Sequence, residues 1–503
     1  MYSILDQINK LTKTNKLILA TFAFLAVLAF GGGRAHAATL NVSGGCTLPI
    51  AINSVNAGAN QSGCTATGAG YGTNDTVTIP AGAITLAADL PDITVSVTIQ
   101  GTGMTDTIIS GDNGQYDMFD IGTSSPLDVT IEDLQITAFS GFAVRSVNSN
   151  VILNNIEIDG QGASPNIDYV IWFRFTNTAN YAVDVDNIYA HSINSNGGNT
   201  VLRVEQEGSG TINADINNVT ISDIHSTSIG DSLFGIISLA MNGTVNTVIS
   251  NTTIDDITGE DNVIPFGSFG GTMIGSPATV TTDVQNVTIT GMRGKTGTGG
   301  SAGIKSGAFY SASAAMQPGD QARATVNVTN SLMANNINDN DSSNCTEADM
   351  TSLIGGSGTD SIAVINSLGY NISDDDTCTS FTEDGDLQNI SNIISTLGPL
   401  QNNGGNVPTR ALLAGSPAIA AGGAVLGVTT DARGTARPGD CPSVGAYQFV
   451  GAVCGASTPS ASGGNAGAPN TGVGAVSSVF AVSASLLGLS MIVYASRKRL
   501  TIK

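Results

Sequence analysis

A repeated pattern of apolar residues runs through the middle of the chain and constrains its fold more than any other feature. It reads apolar-x-apolar-x-Asn-apolar-x-apolar, and residues 151–158 (Val-Ile-Leu-Asn-Asn-Ile-Glu-Ile) are a clear copy. Alternation on each side of the Asn predicts a short strand with one buried face. Because the alternation shifts by one residue at the Asn, both flanks face one core only if the chain bends there. A single coil cannot bury its own apolar face, so the pattern predicts stacked coils in an all-β, right-handed parallel β-helix.

The bend position is predicted to be occupied by a column of asparagines. Asn tolerates the left-handed backbone conformation that a bend requires, and amides in successive coils can bond to one another. The first copy has Asp133 at the bend. The later bend residues are predicted to be Asn155, Asn187, Asn218, Asn251, Asn286, Asn330 and Asn366.

The spacing of the bends predicts a third strand and projecting loops in each coil. Successive bends lie between 22 residues (133 to 155) and 44 residues (286 to 330) apart. Two short strands use only part of that length, and loops on a rigid scaffold are common binding positions. A β-sandwich is the competing fold, but it predicts shorter and more even strand spacing.

The N-terminus has the pattern of a secretory signal peptide. Lys10, Lys13 and Lys16 precede an apolar run over residues 17–30, and Ala35-His36-Ala37 fits a small-x-small cleavage pattern. The run is shorter than the roughly 20 residues that a membrane span needs. Cleavage is therefore expected before Ala38, with an uncleaved anchor as the alternative.

The C-terminus resembles a Gram-positive cell-wall sorting signal. A short motif precedes an apolar stretch over about residues 473–495, and the basic residues Arg497, Lys498 and Arg499 follow. The motif consists of Ala468, Pro469, Asn470, Thr471 and Gly472. In that family it reads Leu-Pro-x-Thr-Gly, so Ala468 departs from the family pattern. The resemblance implies that sortase cuts after Thr471 and joins the chain to the cell wall, whereas the alternative is a plain tail anchor. Both place the bulk of the chain outside the cell.

The exported part, about residues 38–471, is strongly acidic. Of 18 Lys and Arg residues, four precede Ala38 and four follow Thr471, which leaves 10. Of 40 Asp and Glu residues only Asp6 lies outside, which leaves 39, so the net charge is 10 − 39 = −29. Such a field repels nucleic acid and anionic membrane surfaces. It also attracts cations, but no compact ligand set is evident in the sequence.

The six cysteines fall in three close pairs, as expected of local disulfides in an exported protein. The pairs are Cys46 with Cys64, Cys345 with Cys378, and Cys441 with Cys454. Sequence alone leaves all 15 possible pairings open. No pair has the Cys-x-x-Cys spacing of a zinc site, and only His191 and His225 remain after cleavage, so no His/Cys metal centre is expected.

Two further segments resemble a family of bacterial surface β-helix proteins. Residues 46–52 (Cys-Thr-Leu-Pro-Ile-Ala-Ile) resemble the Cys-Ser-Leu-Arg-Glu-Ala-Ile segment that opens this family, with Pro49-Ile50 in place of Arg-Glu. Residues 397–447 resemble the "choice-of-anchor Q" segment, which precedes varied C-terminal anchors. The resemblance implies an N-terminal cap over the first coil. It covers roughly residues 46–447 and implies architecture rather than a ligand.

The sequence therefore predicts six segments. They are a signal peptide (1–37), an N-terminal cap with the first coils (38–125), the parallel β-helix coils (126–375), a choice-of-anchor Q-like segment (376–449), a flexible Gly/Ala/Ser-rich spacer (450–467), and the sorting motif with a transmembrane helix and basic tail (468–503).

Several motifs resemble parts of known active sites, but none predicts a catalytic residue. Arg293-Gly294-Lys295 matches the Arg-x-Lys of β-helical pectin hydrolases, but their Gly-His-Gly is absent, and a solvated basic turn is expected. His191 and His225 are about one repeat apart and are predicted to occupy similar positions on adjacent coils. Asp255-Asp256 resembles paired glycosidase carboxylates, although related residues at Asp159 and Asp223 favour a turn role.

Two other features concern ligands. A Cys345–Cys378 bridge would draw together two acidic runs, 339–341 and 374–376. A solvated acidic loop is the favoured interpretation, and a weak calcium site is the alternative. Otherwise no cofactor is expected. Trp172, the only tryptophan, is interpreted either as half-buried core, which is favoured, or as a platform that stacks on sugars.

The favoured function is that of a non-enzymatic, surface-anchored scaffold that acts as an adhesin or contacts carbohydrate. The expected partners are sortase and the cell wall, a glycan or a ligand on a host or neighbouring cell, and the membrane through the C-terminal helix before sorting; nucleic acid is not expected. One alternative is a divergent polysaccharide lyase or glycoside hydrolase. Another is a structural component of a surface layer. An enzyme predicts acidic residues and a cation converging on one groove, whereas an adhesin predicts scattered carboxylates.

Overall fold

The computed structural model of the chain is an all-β structure of stacked parallel strands. It describes residues 37–451, except for 69, 74, 123–124, 198, 230–231, 272–276, 297–304 and 352–355. The described residues belong to one compact unit. No helix in the described part has the length and apolar character needed to cross a membrane. The predicted signal peptide up to residue 36, the sorting motif and the C-terminal apolar stretch lie outside the described residues.

The described helices are α1 (Leu48–Ala57) and a 3₁₀ helix (Ile393–Thr396). The strands are β1 (Ala38–Asn41), β2 (Thr67–Gly68), β3 (Asp75–Thr78), β4 (Gly82–Thr85), β5 (Val97–Gln100), β6 (Thr107–Ser110), β7 (Phe119–Gly122), β8 (Asp128–Thr137), β9 (Val144–Val147), β10 (Asn150–Asp159), β11 (Tyr169–Phe175), β12 (Tyr181–Ser195), β13 (Asn199–Gln206), β14 (Thr211–Ser226), β15 (Leu233–Ala240), β16 (Gly243–Ser250), β17 (Thr253–Gly259), β18 (Val263–Gly271), β19 (Ala278–Gln285), β20 (Thr288–Thr290), β21 (Arg293–Gly294), β22 (Phe309–Ala314), β23 (Gln321–Thr329), β24 (Leu332–Ala334), β25 (Ile337–Asn338), β26 (Asp341–Ser342), β27 (Cys345–Asp349), β28 (Asp360–Ser367), β29 (Ile372–Ser373), β30 (Leu397–Gln401) and β31 (Thr409–Leu412).

Each coil contributes strands to two parallel sheets. The small sheet has eight strands in the order β27-β22-β18-β15-β13-β11-β9-β7. The large sheet has 21 strands, and its long members cross the bend within one strand. For example, β10 pairs in parallel with β8 on one side and with β12 on the other, both before and after Asn155. Successive coils therefore stack in register, as in a β-helix or a similar solenoid.

The inward side chains form one continuous apolar core. In β10, Val151, Leu153, Ile156 and Ile158 are fully buried, and the residues between them are partly exposed. The core cluster extends along the chain from Leu40 to Phe381. At its N-terminal end α1 adds Leu48, Ile52 and other buried side chains to this cluster and contacts β3. The helix thus occupies the segment for which the sequence predicts a cap.

The bends have the backbone conformation that the asparagine pattern requires. Asp133 has a φ of 59°, and Asn155, Asn187, Asn218, Asn251, Asn286 and Asn330 have φ values from 49° to 58°. These values are left-handed, a conformation that Asn adopts more readily than other residues with a side chain.

The prediction for Asn366 is wrong. Asn366 lies inside β28, opposite Asn327, and Gly369 and Tyr370 supply the positive φ at the bend of this coil. Ile365 and the polar Ser367 face inward in this strand. Because Ser367 is not apolar, the pattern of apolar residues predicts the wrong set of inward positions, shifted by one residue. Asn366 instead donates a side-chain hydrogen bond to Asn327 (3.1 Å) on the outer face.

The amides at the bends do not form the simple bend-to-bend ladder that the sequence suggests. The Nδ2 atom of Asn218 donates to Oδ1 of Asp186 (2.9 Å), and Nδ2 of Asn251 donates to Oδ1 of Asn217 (3.2 Å). Each acceptor is the residue just before the bend in the preceding coil. Among the described residues, one side-chain hydrogen bond joins two bend residues directly, from Asn155 to Asp133 (2.7 Å). The column is therefore staggered.

The C-terminal residues 397–449, here called the strap, fold back over the outer face of the large sheet. β30 and β31 form an antiparallel pair within it. Thr220 Oγ1 donates to the carbonyl of Pro408 (2.8 Å), and the Ala446 N–H donates to Thr288 Oγ1 (3.0 Å). Further along, the side chain of Asn330 exchanges two hydrogen bonds with the backbone of Gly423. The strap therefore crosses several coils.

Two of the expected disulfides are present. Cys46 is bonded to Cys64, and Cys345 is bonded to Cys378. Cys441 is also disulfide-bonded, and its predicted partner, Cys454, lies outside the described residues. Disulfides persist in oxidising compartments, so the pairs point to an extracellular environment.

Candidate functional site

The outer face of the small sheet carries a compact group of aromatic and charged side chains. In β11, Ile171, Phe173 and Phe175 point into the core, so the intervening residues point outward. We define the aromatic–arginine surface as Tyr169, Trp172 and Arg174 of β11 with Arg203 and Glu205 of β13. β11 and β13 are neighbours in register, with Trp172 opposite Arg203 and Arg174 opposite Glu205.

Trp172 is held in one orientation on this surface. Its Nε1 atom donates to Oε2 of Glu205 (2.9 Å), and its ring stacks on Tyr169 with centroids 4.6 Å apart. Glu205 also accepts two hydrogen bonds from the guanidinium of Arg203 (2.9 and 2.8 Å). The guanidinium of Arg174 lies 5.4 Å from the Trp172 ring centre, and that of Arg203 lies 5.0 Å from the Tyr169 ring centre. Trp172 is partly exposed on the outer face and does not belong to the core.

The cations of this face are neutralised by carboxylates. Arg174 makes two hydrogen bonds to Glu207 (2.8 and 3.0 Å), and this bonding raises the pKa of Arg174. On the preceding coil Arg145 bonds to Asp120, which raises the pKa of Arg145. In a chain with a net charge of −22, this face is therefore locally balanced.

The same face becomes apolar on the following coils. Phe234 and Phe269 are partly buried and meet edge to face, with centroids 5.6 Å apart. Phe269 stacks on Tyr310 (5.3 Å), which is fully buried, and burial raises the pKa of Tyr310 to about 12. The outer face thus offers a charged and aromatic region continuous with an apolar one.

The arrangement is suited to binding a ligand that has both apolar faces and hydroxyl groups. Aromatic rings provide flat apolar surfaces of large area. The paired guanidinium and carboxylate groups hold donors and acceptors in fixed positions beside the rings.

A second group of polar side chains lies on the large sheet after the asparagine bend. Asp223, His225 and Asp256 each offer one ligand atom, and these atoms all lie within 4.8 Å of one another. Asp223 and Asp256 have φ values of 56° and 55° and form a second left-handed bend on adjacent coils. We call this group the histidine–carboxylate bend. The sequence analysis missed it because Asp256 is 31 residues from His225 (256 − 225) and only the coil register joins them.

His191 and His225 do not occupy equivalent positions. His191 is opposite Ser222, and His225 is opposite Asn194, three residues further along. His191 lies before the second bend, where its Nε2 is 3.0 Å from Glu157, and its ring stacks on Tyr189. The prediction that the histidines share a position is therefore wrong, because a repeat length measured in sequence does not give the strand register.

The pair Asp255-Asp256 is divided between two environments. Asp255 is buried and makes two hydrogen bonds to the guanidinium of Arg410 in the strap (2.9 and 3.0 Å). Asp256 is exposed at the second bend. Asp223 takes the bend position of Asp256 on the preceding coil, whereas Asp159 aligns through His191 and Ser222 with Asp255, which lies in a strand. The turn role therefore applies to Asp223 and Asp256 only.

The Arg-x-Lys motif and the acidic runs make the following contacts in the described part of the chain. Arg293 donates to the carbonyls of Met292 and Asn335, and Lys295 pairs with Glu260. Next to the Cys345–Cys378 bridge, the carboxylate of Asp374 accepts bonds from Asn335 (2.6 Å) and Asn344 (3.0 Å), and burial raises its pKa. In the described part of the chain, the acidic runs 339–341 and 374–376 supply no group of three ligand atoms as close as those of the histidine–carboxylate bend.

The aromatic–arginine surface was only partly visible in the sequence. Trp172 was singled out, but its partners Arg203 and Glu205 were not, because they lie on the next coil. An outward Trp172 and Arg174 within one alternating strand is the signal that could have found part of it, whereas Tyr169 shares the parity of the inward residues.

No family model matches the chain, and no curated protein matches it significantly.

Proposed function

We propose that this chain is a non-enzymatic, extracellular display scaffold that contacts a neutral glycan through its aromatic–arginine surface. The observation that carries the proposal is the Tyr169–Trp172 stack, which is fixed by the hydrogen bond from Trp172 to Glu205. Sugars present apolar ring faces to aromatic side chains and hydroxyl groups to paired charges, and this surface offers both.

The charge distribution favours an uncharged glycan over an anionic one. The arginines of this face are already paired with carboxylates. The exported part as a whole is acidic, so an anionic polymer would be repelled before it reached the surface. A neutral oligosaccharide needs no unpaired arginine and is not repelled by the negative charge.

The proposed scaffold is a right-handed parallel β-helix held at the cell surface by its C-terminus. Stacked parallel coils and disulfides support the extracellular solenoid. The motif Ala468–Gly472 with its apolar stretch and basic end supports anchoring by sortase. In a host that has sortase, we expect the unmodified chain in the cell-wall fraction and Thr471→Ala to be absent from it. Release of both forms into the medium would contradict anchoring.

The glycan proposal can be tested with a glycan array followed by calorimetry on the full-length chain. Unmodified protein should bind one or more neutral oligosaccharides. Trp172→Ala should abolish binding, and Trp172→Phe, which keeps a ring but loses the bond to Glu205, should weaken it. Ile362→Ala is the matched control, because it removes an apolar side chain that is 45% exposed on the other sheet. An array without hits, or Trp172→Ala binding as well as the unmodified chain, contradicts the proposal.

A polysaccharide-degrading enzyme is the second candidate. The observation that favours it is the exposed histidine–carboxylate bend, where an imidazole lies among carboxylates. The pair Asp255-Asp256 is less suited to acid–base chemistry, because Arg410 holds Asp255 in a buried ion pair. The test is whether the unmodified chain releases sugar products from polysaccharides. If it does, and His225→Ala does not, the enzyme function would be preferred to the display scaffold.

A further inference from the structure

The histidine–carboxylate bend has the dimensions of a metal-binding site. The ligand atoms of Asp223, His225 and Asp256 all lie within 4.8 Å of one another, and His225 Nε2 is 3.0 Å from Asp223 Oδ1. Two ligands at the tetrahedral angle around an ion, with bonds of about 2.1 Å, are separated by about 3.4 Å. The described side chains therefore need little movement to surround an ion.

The backbone places the two carboxylates on a rigid support. Asp223 and Asp256 take the same left-handed position on adjacent coils, between the paired residues Ile221–Ile254 and Ile224–Ile257. These four isoleucines are buried in the core. Neighbouring strands lie about 4.8 Å apart, and like charges directly opposite each other in a sheet are destabilising. A cation between the carboxylates would remove that repulsion.

Neighbouring residues orient one ligand and leave room beside another. Ser192 on the preceding coil donates its hydroxyl to Oδ2 of Asp223 (2.9 Å), which leaves Oδ1 directed at His225. Such bonding to a ligand's second atom is common around metals. On the following coil the corresponding bend residue is Gly291, which has no side chain beside Asp256. Asp223 and Asp256 are exposed and His225 is partly exposed, so ions and water can reach them.

We propose that Asp223, His225 and Asp256 bind one divalent transition-metal ion of the zinc class. The imidazole decides the class, because Ca²⁺ and Mg²⁺ prefer oxygen ligands, whereas imidazole suits Zn²⁺ and its neighbours. Three protein ligands leave further coordination positions for water. The site does not depend on the glycan proposal, since it lies on the large sheet and the aromatic–arginine surface lies on the small one.

The test is titration of the full-length chain with Zn²⁺ by isothermal calorimetry at physiological ionic strength with excess Mg²⁺. Excess Mg²⁺ suppresses diffuse binding to the acidic surface. One tight Zn²⁺ per chain is expected. His225→Ala and Asp256→Asn should each weaken binding at least tenfold. Co²⁺ should give a visible absorption spectrum that His225→Ala changes.

Two control variants separate a defined site from general attraction to negative charge. His191→Ala removes the other described histidine, and Asp106→Asn removes an exposed carboxylate on an early coil; both should bind Zn²⁺ like the unmodified chain. Circular dichroism of each variant checks the fold. The proposal is wrong if the unmodified chain does not bind Zn²⁺, if binding survives His225→Ala and Asp256→Asn, or if the control variants lose it equally.

Discussion

Asp255 and Arg410 form a buried ion pair that joins the strap to the large sheet. The Asp255 side chain is 7% exposed, and both of its oxygens accept bonds from the guanidinium. Removing one partner of such a pair leaves an uncompensated buried charge. Its energetic effect is therefore much larger than that of a surface pair, although the pair itself need not stabilise the fold relative to apolar residues.

Arg410→Ala is expected to lower the free energy of unfolding by about 3–5 kcal/mol, because Asp255 remains buried without its partner. Lys295→Ala is the control: it breaks the exposed pair with Glu260 and should cost no more than about 1 kcal/mol. Urea denaturation followed by circular dichroism measures both. Equal losses for the two variants would show that Asp255 is not dependent on Arg410.

Protonation of Asp215 makes a pH-dependent contribution to the stability of the fold. Crowding by neighbouring atoms desolvates this carboxyl, and with the charges of Asp184 and Asp186 it raises the pKa to about 6, although the side chain keeps contact with solvent. The ordinary value is 3.8. A raised pKa means that the folded state binds the proton more tightly. The contribution is fully present below about pH 4 and is lost as the pH rises through about 6.

Asp215→Asn should therefore melt at a higher temperature than the unmodified chain above pH 6, because it removes the repulsion from Asp184 and Asp186. The gain should not exceed about 1 kcal/mol, since solvent screens these charges. The difference should shrink between pH 6 and pH 4. Thermal melts of both proteins at pH 4, 5, 6 and 7.5 measure it, and a difference independent of pH would contradict the assignment.

At the scale of the element, the bend unites the strands on its two sides into one long strand. Asn218 combines a left-handed backbone (φ 53°) with a hydrogen bond to Asp186 on the preceding coil. The backbone conformation and the hydrogen bond contribute separately to stability. A glycine at this position adopts the left-handed conformation easily but cannot make the hydrogen bond. An alanine resists the conformation and also lacks the hydrogen bond.

Asn218→Ala should lower the free energy of unfolding by about 1–3 kcal/mol, and Asn218→Gly by about 1 kcal/mol, which is the worth of the hydrogen bond. Asn366→Ala tests the corrected bend position. Asn366 lies in a strand and is exposed, so the change should cost no more than about 1 kcal/mol. Urea midpoints rank the three variants, and a loss at Asn366 as large as that of Asn218→Ala would reinstate the original prediction.

At the scale of the whole molecule, a stack of coils depends on contacts between neighbours and on closure of its ends. The Cys46–Cys64 bond lies beside α1 at the N-terminal end, and Cys345–Cys378 joins the last strand of the small sheet to the coil that follows it. The strap adds long-range contacts across the coils between them. In solenoids, stabilisation at one coil is passed to the next through their shared interface.

Replacing Cys345 and Cys378 together by Ser should destabilise the chain by about 4 kcal/mol, and the pair Cys46 and Cys64 by about 3 kcal/mol. In the chain-entropy model a disulfide that closes a longer loop stabilises the fold slightly more, and the two separations are 33 and 18 residues. Hydrogen exchange would show which coils open first. Unchanged protection around β27 and β29 in the first variant would contradict a stabilising role for that bond.

The coil, the bends and the close cysteine pairs were predictable from the sequence, because each depends on residues within one coil or two. Alternation and Asn tolerance of left-handed backbone operate over a few positions. The prediction failed at Asn366, where the inward Ser367 hides the phase of the strand.

The assembled sites depend on the register between coils, which local sequence does not encode. Trp172 meets Glu205, and Asp256 meets Asp223 and His225, only because equivalent positions of successive coils are stacked. The contact between Asp255 and Arg410 spans 155 residues and depends on where the strap folds back. The repeating coil therefore follows from local sequence. Which side chains of different coils meet depends on the tertiary structure, because those contacts are made between strands and not along them.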